Sequence, residues 1–228
     1  MKLKTITTIE LSSKCNLKCQ YCINRYMEDR ADRIPRVMSN DVFYAACDIL
    51  KETVSRGTQA EVNLNGNGES LLDPDIIERV GTIKEIAGKG VKVQMSTNAV
   101  LLTPEIALNL KSAGLDKLHI SVHSAYHVRR AVDFLQRMNL EFCVNPGTIL
   151  TSHNWAGQLE KEDSVFILPK AKCDPLLEGR GYIQAEGDIV PCCYDYRNLG
   201  KIGTVFDLNI FEIEYGKFEL CETCHQMI

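Results

Sequence analysis

Short apolar strands and amphipathic helices alternate through the first two thirds of this chain, and that alternation limits its fold more than any other feature. Thr5–Leu11 has a strand pattern. Ser39 then precedes a helical run over Asp41–Ser55, where Phe43, Ala46, Cys47, Leu50 and Val54 recur at helical spacing before Gly57. Glu61–Asn65 predicts a second strand and Pro74–Gly88 a helix capped by Asp73. Val91–Ser96 follows as a strand, and Pro104–Ala113 as a helix capped by Thr103 and stopped by Gly114. Leu118–Val122, Val128–Met138 and a strand within Phe142–Leu150 complete the series. Strands that alternate with helices imply a parallel sheet with right-handed crossovers. Five such units within residues 1–150 are too few for a closed eight-stranded barrel of ~250 residues. The predicted fold is α/β, an open (β/α) partial barrel of five to six parallel strands.

Beyond residue 150 the pattern changes. The run Asn154-Trp155-Ala156-Gly157 is irregular, and short β runs at Gly181–Gln184 and Ile189–Val190 flank Glu186-Gly187-Asp188, which reads as a hairpin turn. A division into residues 1–150 and a small hairpin-and-helix subdomain over 151–228 is expected.

Composition excludes several classes of partner. With 45% hydrophobic and 25% charged residues the chain folds rather than remaining disordered. Its formal charge is −4 and no Lys/Arg block stands out, so nucleic acid is not an expected partner. The N-terminus lacks a signal-peptide apolar region, and no stretch approaches the ~20 apolar residues of a membrane span. A cytoplasmic protein without a membrane partner is expected. Ten cysteines in a reducing compartment point to metal ligation or redox chemistry rather than disulfides.

Their spacing is specific. Cys15, Cys19 and Cys22 form a C-x-x-x-C-x-x-C triplet, which chance would produce about 0.02 times in a chain of this cysteine content. The triplet lies on the loop leaving the first strand's C-terminal end, where parallel β/α sheets place ligand sites. Three thiolates can hold three irons of a [4Fe–4S] cube and leave the fourth open; a structural zinc would want a fourth ligand nearby, and only the helical Cys47 follows within forty residues.

The loop Cys15-Asn16-Leu17-Lys18-Cys19-Gln20-Tyr21-Cys22 resembles the signature of the radical S-adenosylmethionine (radical SAM) superfamily, C-x-x-x-C-x-aromatic-C, with Tyr21 at the aromatic position. The resemblance implies a cluster whose open iron chelates the amino and carboxylate groups of SAM. Gly66-Asn67-Gly68-Glu69 is similar to that family's Gly-Gly-Glu-Pro loop, with Asn67 and Ser70 departing from it; this implies contacts from Gly68 and Glu69 to the SAM amino group. Ser96 and Asn98 end the third strand where relatives bind the SAM ribose, and Ser121 and His123 end the fourth. Arg129 or Arg130 is expected to pair with the SAM carboxylate, which suits bidentate guanidinium recognition.

The C-terminal cysteines resemble the family's SPASM/twitch extension, which implies one auxiliary [4Fe–4S] cluster on Cys173, Cys192, Cys221 and Cys224; a zinc ribbon is the alternative. Three cysteines remain. Cys47 shares a helical face with Leu50 and Val54 and is expected to be buried. Cys143 alternates with Phe142 and Val144, so that Cys143 and Asn145 face the barrel interior, where Cys143 is either core or a hydrogen-atom donor. Cys193 points away from Cys192 and is the second donor candidate. Glu10, His123, Tyr194, Asp195 and Tyr196 are further polar candidates.

The expected function is reductive cleavage of SAM to a 5′-deoxyadenosyl radical that abstracts hydrogen from a substrate, followed by two-electron oxidation through the auxiliary cluster. Alternatives are an epimerase with a cysteine hydrogen donor and a peptide-modifying maturase. A non-enzymatic iron–sulfur or zinc redox sensor is the other class, and it has no use for the Gly-x-Gly-Glu loop. Expected partners are a small-molecule or peptide substrate, the former favoured because the first strand starts within ten residues, and a one-electron donor such as flavodoxin or ferredoxin.

Overall fold

In the computed structural model, which describes residues 1–19, 22–27, 33–145 and 173–222, the predicted alternation is realised as one sheet. In chain order the elements are β1 (Thr5–Ile9), α1 (Asn24–Met27), α2 (Asn40–Ser55), β2 (Glu61–Leu64), α3 (Ile76–Ala87), β3 (Lys92–Thr97), α4 (Pro104–Ser112) and β4 (Lys117–Ser121). There follow α5 (Ala125–Met138), β5 (Glu141–Asn145), α6 (Asp174–Leu177), β6 (Arg180–Ile183), β7 (Asp188–Val190), β8 (Gly203–Thr204) and α7 (Glu219–Glu222). The strand order is β5-β4-β3-β2-β1-β6-β7-β8. The strands from β5 to β6 are mutually parallel, and β7 and β8 are antiparallel additions at the β6 edge. The sheet is open, with the six parallel strands of a partial barrel. Gly187, at φ 96°, makes the turn between β6 and β7, a backbone region that glycine enters without strain.

Helix ends follow local chemistry where a cap is available. Ser39 accepts from the Val42 N–H at 3.4 Å, and Thr103 accepts from the Ile106 N–H at 3.1 Å with Pro104 behind it. Asp73 is not the cap of the second long helix, contrary to expectation: Asp75 holds that position, and Asp73 Oδ1 accepts from the Asp75 N–H at 3.0 Å. A 3-10 turn at Ser70–Leu72 intervenes, and α3 starts at Ile76. Asp73 Oδ2 accepts from Arg79 at 2.9 Å, because that buried guanidinium needs a carboxylate. Arg79 also donates to Met38 O and to Asn40 Oδ1, at 2.9 and 2.8 Å, which ties α3 to the start of α2.

Strand alternation separates two faces. Ile6, Val62, Leu64, Val93, Met95, Leu118 and Ile120 are fully buried, in one core with Phe43, Ala46 and Leu50 of α2, Val80 and Ile83 of α3, Leu110 of α4 and Leu135 of α5. Burying each of these side chains other than Ala46 contributes about 1.5–3 kcal/mol. The other face carries Asn63, Gln94, Ser96, His119, Ser121, Cys143 and Asn145. It is a polar lumen. Among the described residues no helix is long and apolar enough to cross a membrane.

Candidate cofactor and substrate site

The cysteine loop leaves β1 between two backbone anchors. Met38 N–H donates to Leu11 O and Ser13 N–H to Arg36 O, each at 2.9 Å, and Ser12 bridges Val37. Cys22 N–H closes a turn on Cys19 O at 3.1 Å. Burial pushes the Cys15 thiol up and the Cys22 thiol to about 11, and charge on the neighbouring cysteines acts in the same direction on both. The three thiols therefore share one neighbourhood. Soft thiols grouped in this way fit a [4Fe–4S] cube, which takes each thiolate on a different iron and needs no single meeting point. Among the described residues no three His, Cys, Asp or Glu side chains converge on one ion. His123 Nδ1 lies 3.5 Å from Cys19 Sγ, and burial lowers the His123 pKa. Tyr21 lies outside the described residues.

The Gly66–Glu69 loop rests directly on the cysteine loop. A methyl group at Gly68 would run into the carbonyl oxygens of Ser12 and Lys14, so only glycine permits this approach. Glu69 N–H donates to Lys14 O at 2.7 Å, and Asn24 Nδ2 donates to both Ser13 O and Asn67 O. The buried Glu69 carboxylate accepts from Thr97 Oγ1 and Asn98 N–H, each at 2.8 Å, and from Leu71 N–H at 3.2 Å. Burial raises its pKa against the pull of those donors. Glu69 thus fastens this loop to the end of β3. Asn98 reaches the cysteine loop from there, donating from Nδ2 to Asn16 Oδ1.

Half-buried Ser96 and Ser121 lie on the lumen face, in register with His119 and Asn145. Arg130 is committed to its own chain, donating to the carbonyls of Ala99, Val100 and Leu102 at 3.0, 3.1 and 3.0 Å. Arg129 is exposed on α5.

Glu10 is the hub of a buried network that the sequence did not reveal. Its Oε1 accepts from Asn67 N–H at 2.7 Å and from the Tyr182 hydroxyl at 3.3 Å, and its Oε2 from Ala185 N–H at 3.0 Å and from Arg33. Arg33 also pairs with Glu186 at the hairpin turn. Burial and the neighbouring Glu10 charge raise the Tyr182 hydroxyl well above its ordinary value, so it stays a donor. One carboxylate therefore joins the Gly66–Glu69 loop, the segment after the cysteine loop, and the hairpin.

The second cysteine group lies at the opposite end of the sheet. Cys173 stands at the N-cap position of α6, with no capping bond from its side chain, just before β6, and Cys192 follows β7, which runs back against β6. Charge on Cys221 raises the Cys173 thiol, in addition to the larger effect of burial, so those two are neighbours. Cys224 lies outside the described residues. Cys193 is exposed and lines a cavity of about 470 Å³ with Thr5, Thr7, Glu61, Asn63 and Tyr182. Contrary to the expectation that it points away from Cys192, its thiol shares a hydrogen bond with Cys192, because the chain turns after β7 instead of staying extended, and that bond holds it below the ordinary range. Asp195 is buried and structural, its carboxylate accepting from Leu199 and Gly200 N–H at 2.9 and 2.7 Å. Tyr196 is buried beside it and Tyr194 is half-buried. Cys47 is buried in the main core, as expected. On the lumen face Cys143 meets His119, which sequence reasoning missed, although alternation already placed Lys117, His119 and Ser121 on one face of β4.

Comparison with known proteins gives a consistent identification. A family model described as "Radical SAM superfamily" matches residues 9–140. The chain is 35% identical over 122 residues to the GTP 3′,8-cyclase of Synechococcus sp. (strain CC9902), which covers 53% of this chain and 32% of the cyclase. It is 28% identical over 114 residues to the tungsten-containing aldehyde ferredoxin oxidoreductase cofactor-modifying protein of Pyrococcus furiosus, covering 50% of this chain and 29% of that one. The aligned part thus spans about a third of these relatives' own length. Among solved structures, BtrN in complex with AdoMet and 2-DOIA superposes with a TM-score of 0.75 at 18% identity, covering 94% of this chain and 84% of BtrN. The structure of anSMEcpe with bound AdoMet gives 0.62 at 13% identity, covering 96% and 82%. At these identities the likeness is one of fold.

Proposed function

Because the chain belongs to the radical SAM superfamily, which implies a SAM-binding [4Fe–4S] cluster and SAM, we propose that it oxidises a substrate by two electrons after hydrogen abstraction. When bound, such a cluster would supply one electron for reductive cleavage of SAM. Cys15, Cys19 and Cys22 hold it. The Gly66–Glu69 loop meets the SAM amino group through its backbone, since Glu69's oxygens already serve Thr97, Leu71 and Asn98. Asn98, Ser96 and Ser121 are polar groups for the ribose. Arg129 takes the carboxylate, Arg130 being committed to the loop after β3.

Cys173, Cys192, Cys221 and Cys224 would hold an auxiliary cluster, which would supply an acceptor for the second electron, in a twitch-like subdomain over residues 151–228. One observation carries this reading: Cys15, Cys19 and Cys22 follow the C-terminal end of β1, whereas Cys173 precedes β6, its parallel neighbour, and Cys192 follows the antiparallel β7 back to that same N-terminal end. Five residues of strand separate the two ends by about 15 Å. Cys193 and the cavity it lines lie at the auxiliary end, where a substrate lodged in the lumen faces both groups.

The lining of hydroxyl, amide and carboxylate groups suits a small polar molecule better than an apolar one, and a peptide end is the other substrate class. A flavodoxin- or ferredoxin-type protein supplies the first electron. A second reading, in which a protein thiol ends the substrate radical and the net result is epimerisation, is favoured by the contact of Cys143 with His119 at 3.0 Å.

The test is anaerobic reconstitution, iron counting and an assay for 5′-deoxyadenosine with dithionite. About eight irons per chain, about four after Cys173→Ala, and SAM cleavage are expected. Absence of cleavage overturns the radical reading; about four irons, unchanged by Cys173→Ala, overturns the auxiliary cluster.

A further inference from the structure

Four side chains on four adjacent strands form one hydrogen-bonded row across the lumen face. Gln94 Nε2 on β3 donates to Glu61 Oε2 on β2 at 2.8 Å. Gln94 Oε1 lies 2.8 Å from His119 Nε2 on β4, and His119 Nδ1 lies 3.0 Å from Cys143 Sγ on β5. His119 and Cys143 are direct register partners, while the other two links step diagonally across the pleat.

For a neutral His119 the row has one consistent assignment of protons, with Asn145 Oδ1, 3.7 Å from Cys143 Sγ, as the more distant second acceptor for its S–H. An ionised carboxylate only accepts, so Gln94 must turn its NH₂ to Glu61 and its carbonyl to His119. A carbonyl also only accepts, so His119 carries its proton on Nε2. A neutral imidazole has a single N–H, which leaves a lone pair on Nδ1 for the Cys143 S–H. Burial and then Lys117 lower the His119 pKa, Glu61 and Glu141 oppose them, and Lys117 is itself paired with Glu141 at 2.9 Å.

We infer that His119 is a positioning residue that holds Cys143 as a hydrogen-donating thiol on the lumen face, with Gln94 and Glu61 fixing which ring nitrogen it presents. Its role in turnover rests on the second reading above. In that step the Cys143 S–H bond breaks homolytically, a C–H bond forms on the substrate radical, and a thiyl remains. One electron from a low-potential one-electron carrier and one proton from water restore the thiol.

The test is alkylation of Cys143 by iodoacetamide in the cluster-loaded protein, followed by mass spectrometry of its peptide across the acid-to-alkaline range. A charge on His119 changes the thiolate fraction of Cys143, so the wild-type rate should rise in two steps. His119→Gln should lose the acid-side step, and Gln94→Leu should displace it. A single step in the wild-type protein overturns the inference whether or not either variant folds. An unmoved step in Gln94→Leu removes Gln94 and Glu61 from it. Formation of 5′-deoxyadenosine by the wild-type protein is measured separately: its absence alongside a two-step profile defeats the radical reading and leaves the pair intact.

Discussion

Asn98 donates its side-chain amide to Asn16 Oδ1 across 2.7 Å, joining the end of β3 to the loop between Cys15 and Cys19. The same residue's backbone N–H is held by Glu69, so one position touches both loops proposed to meet SAM. Asn98→Ala removes a neutral hydrogen bond with a net value of about 1 kcal/mol, and SAM affinity should fall about five-fold or more. Calorimetric titration of the reconstituted protein measures it.

Gly68→Ala should damage cluster assembly. The added methyl meets backbone carbonyls that cannot rotate away, and overpacking of this kind costs about 1–3 kcal/mol. Gly90→Ala meets nothing within 4 Å and serves as the control. Iron content after reconstitution should fall in the first variant and hold in the second.

Glu10→Ala should be the most destabilising single change near the site. It leaves the buried Arg33 one carboxylate short and orphans the Asn67 and Ala185 amides. Removing one partner of a buried pair costs about 3–5 kcal/mol. Urea unfolding with an unchanged slope and a lower midpoint is the expected result; a shift below about 0.5 kcal/mol would refute it.

His119 makes stability fall on the acid side. Its folded pKa lies below the ordinary 6.5, so as pH falls through 6.5 the unfolded chain takes up the proton first. The contribution is complete above 6.5 and is lost as pH falls toward the folded value. His119→Gln lacks this loss, so the wild-type protein should lose stability relative to the variant as pH falls below 6.5. Paired urea midpoints above and below that pH measure the difference.

Cys47 should be the slowest thiol to alkylate. Burial pushes it up to about 11 and the core covers it, so its peptide should remain unlabelled while the exposed Cys193 reacts.

The parts of the fold that depend on local chemistry were legible in the sequence. Phe43, Ala46, Cys47 and Leu50 face the core at helical spacing, and Ser39 and Thr103 cap their helices with their own oxygens. Asp73 sits two residues ahead of the N-cap position: its Oδ1 accepts from the Asp75 N–H before α3 begins, and its Oδ2 is taken by Arg79, which packing between α2 and α3 positions. The cysteine loop and the Gly66–Glu69 loop were visible as motifs, but the locking of Glu69 was not, since it needs the end of β3. Arg33 and His119 were missed for a related reason: their roles come from strand register and chain crossings, where Glu10 meets Ala185 from 175 residues away.

That last separation also bears on the order of folding. β1 has β2 on one side and β6 on the other, so a nascent chain that has not reached Arg180 exposes one edge of its central strand. An uncovered edge is a template for unwanted strand pairing, and long-range pairings form slowly. Ile6 and Ile9, fully buried in the finished sheet, lack that neighbour until the hairpin arrives. Fragments ending before Arg180 should therefore aggregate, and recovery of intact protein should depend on how long synthesis leaves β1 waiting.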